Sequence, residues 1–207
     1  MASALARAKL ARAARLLNAQ YPALPPLILM TDALRLRAPL EAARTLPRGA
    51  AIILRHTDDV ARAELAERLG PIVRARGLIL LIAGDAALAM RAGCDGLHLP
   101  ESRAMEAAHW KARHPSWLIT AAAHSEHAVA AAARSRCDAV LLGPAFATQS
   151  HVGRAEFGVC RFRFVAARAA LPVYALGGVN AQTMGRLAGA RLAGIAAIEA
   201  LTPSQSA

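Results

Sequence analysis

Eight short apolar runs, each followed by a helical segment, constrain the fold of this chain more than any other feature of its sequence. The runs start near residues 27, 51, 78, 95, 117, 138, 171 and 191. They are apolar without alternation, which is typical of strands that are buried on both faces of a parallel sheet. Eight such strand–helix units predict a closed (β/α)8 TIM barrel, with an open doubly wound sheet as the alternative.

The length of 207 residues is enough for one hydrophobic core but small for a barrel. We therefore predict a single small domain with an extra helix at its N-terminus. Residues 1–26 would form this helix and a proline-rich linker, residues 27–201 the barrel, and residues 202–207 a tail. Because the sequence continues only briefly after the eighth strand, we expect a short eighth helix, with the N-terminal helix covering its place.

Charge, hydrophobicity and cysteine content indicate which partners and which cellular compartment this protein has. The net charge is +11, and the basic residues are arginine except for Lys9 and Lys111. The arginines are spread along predicted helices with few aromatic residues, which argues against nucleic-acid binding; only the charge supports that alternative. No apolar run reaches the roughly 18 residues of a membrane span. The odd number of cysteines, at 94, 137 and 160, without a CxxC motif, predicts a reducing, cytoplasmic location.

Functional groups of a barrel lie at the carboxyl ends of its strands. Here those ends are rich in arginine, histidine and glycine and poor in carboxylates, which suits an anionic substrate but not a magnesium site. The residues concerned are Thr31-Asp32, Arg55-His56, Gly84-Asp85, His98, His124, the segment Pro144 to His151, Gly177-Gly178 and Ile198-Glu199.

Two of these ends are typical of phosphate sites. Gly177 and Gly178 stand between a buried strand and a predicted helix, where backbone N–H groups can approach an anion closely. A tight strand-to-helix turn is the alternative. Thr148, Ser150 and His151 form a loop of hydroxyl and imidazole groups that suits phosphate oxygens, with a solvated loop as the alternative.

Two other side chains are candidates for chemistry. His124 can exchange protons near neutral pH, although it could instead cap the helix that follows. Arg55 can bind a phosphate or carboxylate through two hydrogen bonds, with an ion pair to Asp32 or Asp85 as the alternative. We expect His98 to pack inside the barrel.

Several segments, in the same order, resemble the thiamine phosphate synthase/TenI-like family. They are LMTD at 29–32, the strand ending in Arg55, AGCDGLHLPE at 92–101, His124-Ser125, LLGPAFATQSHVG at 141–153 and YALGGVN with AGIAAIEAL within 174–201. The resemblance covers roughly residues 27 to 201 and is most specific at 143–153. It implies a (β/α)8 barrel that works in thiamine biosynthesis. Synthase members join a thiazole phosphate to a pyrimidine pyrophosphate with Mg²⁺, whereas TenI-type members isomerise a carboxythiazole phosphate without a metal.

The resemblance also implies roles for individual residues. His124 matches the histidine that TenI-type members use for proton transfer. The family's substrate-binding and phosphate-binding positions fall on Arg55, Thr148, Ser150, Gly177, Gly178 and the backbone of Ile198 and Glu199.

Departures from the synthase pattern concern its metal and pyrophosphate residues. The Asn-Asp pair after strand three falls on Ala83-Gly84, and the second metal aspartate falls near Arg103, where Glu101 is the nearby acid. The loop lysine is His151, and the lysine after the strand-two arginine is Thr57. These losses would remove much of the stabilisation of a departing diphosphate.

We therefore predict an enzyme that binds a thiazole phosphate, a transferase by family but a TenI-like tautomerase by its residues. No metal ligand is assigned, and no cofactor is expected, with Mg²⁺ needed only by a true synthase. The alternatives are a true thiamine phosphate synthase and a non-catalytic phosphate-binding protein. A homodimer is compatible with the sequence.

Overall fold

Eight parallel strands close into a barrel in the computed structural model of the chain, which describes residues 2–36, 38–56, 58–147 and 156–203. Each strand pairs with the next, and the eighth pairs with the first. The strands are β1 Leu27–Met30, β2 Ala51–Leu54, β3 Ile79–Ala83, β4 Gly96–Leu99, β5 Leu118–Ala123, β6 Ala139–Leu142, β7 Val173–Leu176 and β8 Gly194–Ala197. The predicted (β/α)8 barrel is confirmed, and the open doubly wound sheet is wrong.

Helices connect the strands around the outside of the barrel. They are α1 Ala4–Leu17, α2 Pro39–Thr45, α3 Asp59–Arg76, α4 Ala86–Arg91, α5 Ala107–Arg113, α6 Glu126–Arg134 and α7 Val159–Arg168, with 3₁₀ turns at Asn18–Gln20, Glu101–Glu106, Met184–Leu187 and Glu199–Leu201. Within the ranges given above, no helix has both the length and the apolar character that a membrane crossing requires.

The α-helix expected after Gly178 is wrong, because only the short 3₁₀ turn Met184–Leu187 follows β7. The side-chain oxygen of Asn180 accepts hydrogen bonds from the backbone N–H groups of Gln182 and Thr183. A side chain that bonds the local backbone in this way competes with helix formation. The Gly177-Gly178 turn therefore lacks the dipole of a long helix behind it.

Helix α1 takes the place of a long eighth helix, as expected. It packs against β1 and β8, and Leu10 and Ala14 are completely buried beneath it. At its end, Asn18 Nδ2 donates a 2.6 Å hydrogen bond to the carbonyl oxygen of Ala193, just before β8. The start of α1 is therefore fixed at the carboxyl end of the barrel, while the domain boundaries at residues 26 and 201 stay predictions.

A Cys-Asp pair stands before β4, at residues 94–95, and again before β6, at residues 137–138. In each pair the aspartate stabilises the contact between neighbouring strands. Asp95 Oδ2 accepts a 2.8 Å hydrogen bond from Leu80 N in β3, and Asp138 Oδ2 accepts a 2.7 Å hydrogen bond from Ile119 N in β5. Burial, together with the neighbouring aspartate, raises the pKa of each adjacent cysteine thiol to about 11. Each carboxylate thus joins its own strand to the preceding one at the amino end of the barrel, away from any catalytic position.

Candidate active site

A cavity of about 660 Å³ opens at the carboxyl ends of β1, β2, β7 and β8. It is lined by five of the predicted site residues, namely Arg55, Gly177, Gly178, Ile198 and Glu199. The start of the chain forms another part of its wall, through Ala2, Ser3 and Ala6. The predicted Thr148, Ser150 and His151 lie outside the described residues. Barrel closure therefore brings together groups from both ends of the sequence, as an anion-binding site at strands seven and eight requires.

The glycine turn after β7 is packed so closely that larger residues are excluded. Gly177 and Gly178 have φ of +90° and +64°, in the left-handed region that favours glycine. Phe146 N donates a 3.1 Å hydrogen bond to the carbonyl oxygen of Gly177. A Cβ atom on Gly178 would lie 2.5 Å from the carbonyl oxygen of Ala147. The loop after β6 thus holds the turn in place as one wall of the cavity.

Charged side chains that follow β1 and β2 line the same cavity as this turn. Arg55 Nη2 lies 3.3 Å from Asp32 Oδ2, so the ion pair considered as an alternative is present, although half of the Arg55 side chain is exposed. Arg35 Nη2 lies 3.5 Å from the same oxygen. Burial alone would raise the pKa of Asp32, but hydrogen bonds from the backbone N–H groups of Arg35 and Leu34 and the two guanidinium charges outweigh it and lower that pKa.

Arg35 is not among the predicted site residues, because it lies three residues beyond the strand-end pair Thr31-Asp32. The signal that could have found it is its position in the loop that follows β1, at the same end of the barrel. It lines the cavity together with Arg55. The cavity therefore carries two guanidinium groups, which suits a doubly charged phosphate monoester.

His124 stands at the end of β5, beside the loop that follows β6. Its Nδ1 lies 2.8 Å from the carbonyl oxygen of Gly143. A carbonyl oxygen only accepts, so Nδ1 carries the proton, and Nε2 of the neutral ring is the proton acceptor. Capping of α6 by His124 is wrong, because Ser125 Oγ accepts the capping hydrogen bond from Ala128 N. His124 is not among the residues that line the cavity described above.

The acidic side chains after β3 and β4, Asp85 and Glu101, are engaged by other protein groups. Asp85 accepts a hydrogen bond from Leu88 N at the start of α4 and pairs with Arg62 at 3.1 Å. Arg103 Nη1 donates a 2.8 Å hydrogen bond to the carbonyl oxygen of Gly84. Within the described ranges, no three His, Cys, Asp or Glu side chains are grouped so that they could hold a metal. The guanidinium groups of Arg62 and Arg103 thus lie at the strand ends to which the family resemblance assigns metal ligands.

His98 packs inside the barrel, as expected, with 4% of its surface exposed and its Nδ1 2.9 Å from Thr120 Oγ1. Burial, and then the charge of Arg55, lower its pKa from 6.5 to about 4. His98 is therefore neutral at physiological pH and serves as an uncharged hydrogen-bonding group between β4 and β5.

The depressed pKa of His98 predicts an acid-labile fold. Between pH 6.5 and about 4 the unfolded chain binds a proton that the folded chain excludes. Stability should therefore be complete above pH 6.5 and fall by roughly 3 kcal/mol as the pH decreases through this window. His56, whose pKa is also lowered chiefly by burial, adds in the same direction. Urea unfolding of wild type and His98→Asn across this range measures the effect; parallel profiles for the two proteins would contradict it.

The sequence of this chain matches one family model and several individual proteins. A family model described as thiamine monophosphate synthase matches residues 28–201. The chain is 32% identical to thiamine-phosphate synthase of Chlorobium luteolum over 143 residues, which cover 69% of this chain and 68% of that protein. It is 25% identical over 149 residues to thiamine-phosphate synthase of a Nostoc species, covering 72% of this chain and 42% of that one. It is 29% identical over 117 residues to putative thiamine-phosphate synthase 2 of Aquifex aeolicus, covering 56% and 62%. The matches thus span less than two thirds of the last two relatives.

Among solved structures, thiamine phosphate pyrophosphorylase from Pyrococcus furiosus superposes with a TM-score of 0.68. The superposition covers 83% of this chain and 84% of that one at 21% sequence identity. A likeness at this identity concerns the barrel fold.

Proposed function

Since the chain belongs to the thiamine monophosphate synthase family, we propose that it binds a thiazole phosphate in the cavity at the ends of β1, β2, β7 and β8. The observation that carries this proposal is the convergence of the glycine turn, the turn after β8 and Arg55 on one cavity. A phosphate monoester fits the combination of closely approaching backbone and guanidinium groups. The glycine turn and the backbone of Ile198 and Glu199 hold the phosphate.

The reaction that we propose is the isomerisation of a carboxythiazole phosphate to its aromatic tautomer. In this reaction one proton leaves a carbon atom of the substrate and one is delivered to another carbon, so that the composition is unchanged. For this step the thiazole ring would extend from the cavity toward the end of β5. There His124 Nε2 accepts the first proton, because Nδ1 is committed to the carbonyl oxygen of Gly143. The imidazolium ion formed in this way then returns a proton. No metal takes part in these steps.

The arrangement at β3 and β4 supports isomerisation over synthesis. A departing diphosphate needs concentrated positive charge, which Mg²⁺ held by carboxylates supplies. Here Asp85 is committed to a helix start and to Arg62, and Arg103 takes the neighbouring position. The names of the relatives, on the other hand, favour a true synthase, which is the second candidate function. A phosphate-binding protein without turnover is the third.

One experiment separates the three functions. Purified protein is mixed with the non-aromatic carboxythiazole phosphate and, separately, with thiazole phosphate, pyrimidine pyrophosphate and Mg²⁺, and both mixtures are followed by ³¹P NMR. We expect the first substrate to convert at the same rate with and without EDTA and the second mixture to remain unchanged. Growth of thiamine phosphate and diphosphate signals would instead make the protein a synthase. A shifted substrate resonance without any product would make it a binding protein.

Two further predictions accompany this function. A cytoplasmic location is supported by Cys94, Cys137 and Cys160, all of which are free thiols in the structure. A homodimer stays a prediction that sedimentation of the purified protein would test.

A further inference from the structure

Arg35 occupies a defined place in the cavity that no sequence motif assigned to it. It follows β1 by five residues, and its backbone N–H donates a 3.1 Å hydrogen bond to Asp32 Oδ1, which fixes the loop. From there its side chain reaches across the junction between β1 and β8, where Nη1 lies 3.9 Å from Glu199 Oε1. About a quarter of the Arg35 side chain is exposed, compared with half for Arg55. Arg35 is therefore the less exposed of the two arginines and the one that contacts the turn after β8.

The contacts of Arg35 to its two carboxylate neighbours are long. Its contacts to Asp32 and Glu199, at 3.5 and 3.9 Å, exceed the 2.7–2.9 Å of a charge-assisted hydrogen bond. Glu199 is also more than half exposed, so its side chain can turn to solvent at little cost. An anion that enters the cavity can thus draw the Arg35 guanidinium away from Glu199 without leaving a buried charge unpaired.

The negative charge of Glu199 would weaken phosphate binding in this cavity, and its ion pair with Arg35 offsets that effect. Its backbone belongs to the turn after β8, which lines the cavity with Gly177 and Gly178. A carboxylate there repels a phosphate dianion unless a cation stands between them. Arg35 is the guanidinium group that contacts Glu199 in the described structure.

We propose that Arg35 binds the phosphate group of the substrate and that Glu199 is the counter-ion that competes with the phosphate for Arg35. This inference rests on the proposed phosphate cavity and adds to it a specific cation and a residue that weakens binding. It makes the two substitutions at one ion pair act in opposite directions. Loss of Arg35 should weaken phosphate binding, and loss of the charge on Glu199 should strengthen it.

The test measures the affinity of the full chain and its variants for thiazole phosphate and for inorganic phosphate by calorimetry. We expect Arg35→Gln to raise both dissociation constants by about tenfold or more, and Glu199→Gln to lower them by roughly threefold. When Arg35 is already replaced, Glu199→Gln should have a smaller effect, because the competition has ended. Arg44 and Glu41 also form an arginine–glutamate ion pair, on the exposed side of α2 and away from the cavity, so Arg44→Gln and Glu41→Gln are the controls.

The outcomes separate this inference from the proposed function. If Arg35→Gln binds phosphate as Arg44→Gln does, the inference is overturned, even where the wild-type protein converts its substrate. If inorganic phosphate binding depends on Arg35 but no thiazole compound is converted, the inference stands and the proposed reaction fails. A wild-type protein that binds neither phosphate overturns both. The midpoint temperature of thermal unfolding is measured for each variant, and a value equal to that of the wild type verifies that the fold is intact.

Discussion

Replacement of His124 by glutamine is expected to lower the rate of tautomerisation by about 10² to 10⁴. The glutamine amide can still donate a hydrogen bond to the carbonyl oxygen of Gly143, so the loop after β6 should stay in place. It cannot accept a proton from carbon at neutral pH, so the chemical step loses its base. The affinity for thiazole phosphate should change by less than about threefold, since His124 does not line the phosphate cavity.

The measurement is the initial rate of aromatic product formation at saturating substrate, together with a separate binding titration. His127, on the exposed side of α6, supplies the control, because His127→Gln removes an imidazole near His124 in sequence and should leave both quantities unchanged. Wild-type turnover in His124→Gln would show that another group moves the proton. Loss of binding in step with loss of rate would show that His124 holds the substrate.

The largest effect on stability is expected from Gly96→Ala in β4. A Cβ atom at this position would lie 2.0 Å from the carbonyl oxygen of Leu118 and 2.8 Å from its backbone nitrogen. Gly96 and Leu118 are partners in the β4–β5 register, so the backbone cannot move apart without loss of strand pairing. We expect a destabilisation of about 4 kcal/mol or more, which removes most of the stability of a domain at the lower end of the ordinary range.

Circular dichroism and urea unfolding of the purified variant measure this effect. Gly185→Ala is the matched control, since a Cβ atom there would have no neighbour within 4 Å. A Gly96→Ala protein that unfolds at the wild-type urea concentration would mean that β4 and β5 do not approach each other as described.

The fold was predictable because its signals are local. Runs such as Leu27–Met30 and Ala51–Leu54 are apolar throughout and lie between helical segments, so each reports its own burial on both faces. In a barrel the carboxyl ends of all eight strands lie on the same face. Arg55, Gly177 and Glu199 could therefore be predicted to lie together although they are far apart in sequence. The wrong α-helix after Gly178 shows the limit of this reasoning, since one side chain, Asn180, redirects the local backbone.

The parts of the site that escaped prediction depend on contacts between distant elements. The place of Arg35 follows from the closure of β1 against β8, which brings Glu199 within 3.9 Å of it. The position of residue 35 after β1 puts it at this end of the barrel, but no sequence pattern shows its contact with Glu199. The pairing of Asp85 with Arg62 is likewise visible only when the first turn of α3 lies near the start of α4.

The first turn of α1 has a consequence for how such a protein could change its substrate. Ala2, Ser3 and Ala6 line the cavity, yet they precede the segment that matches the family, which begins at residue 28. The size of these three side chains sets the room beside the Gly177-Gly178 turn. Their exchange would therefore alter one wall of the cavity while Leu10 and Ala14, by which α1 packs on the barrel, stay the same. The proposed choice of substrate and the proposed chemistry at His124 would thus depend on separate parts of the chain.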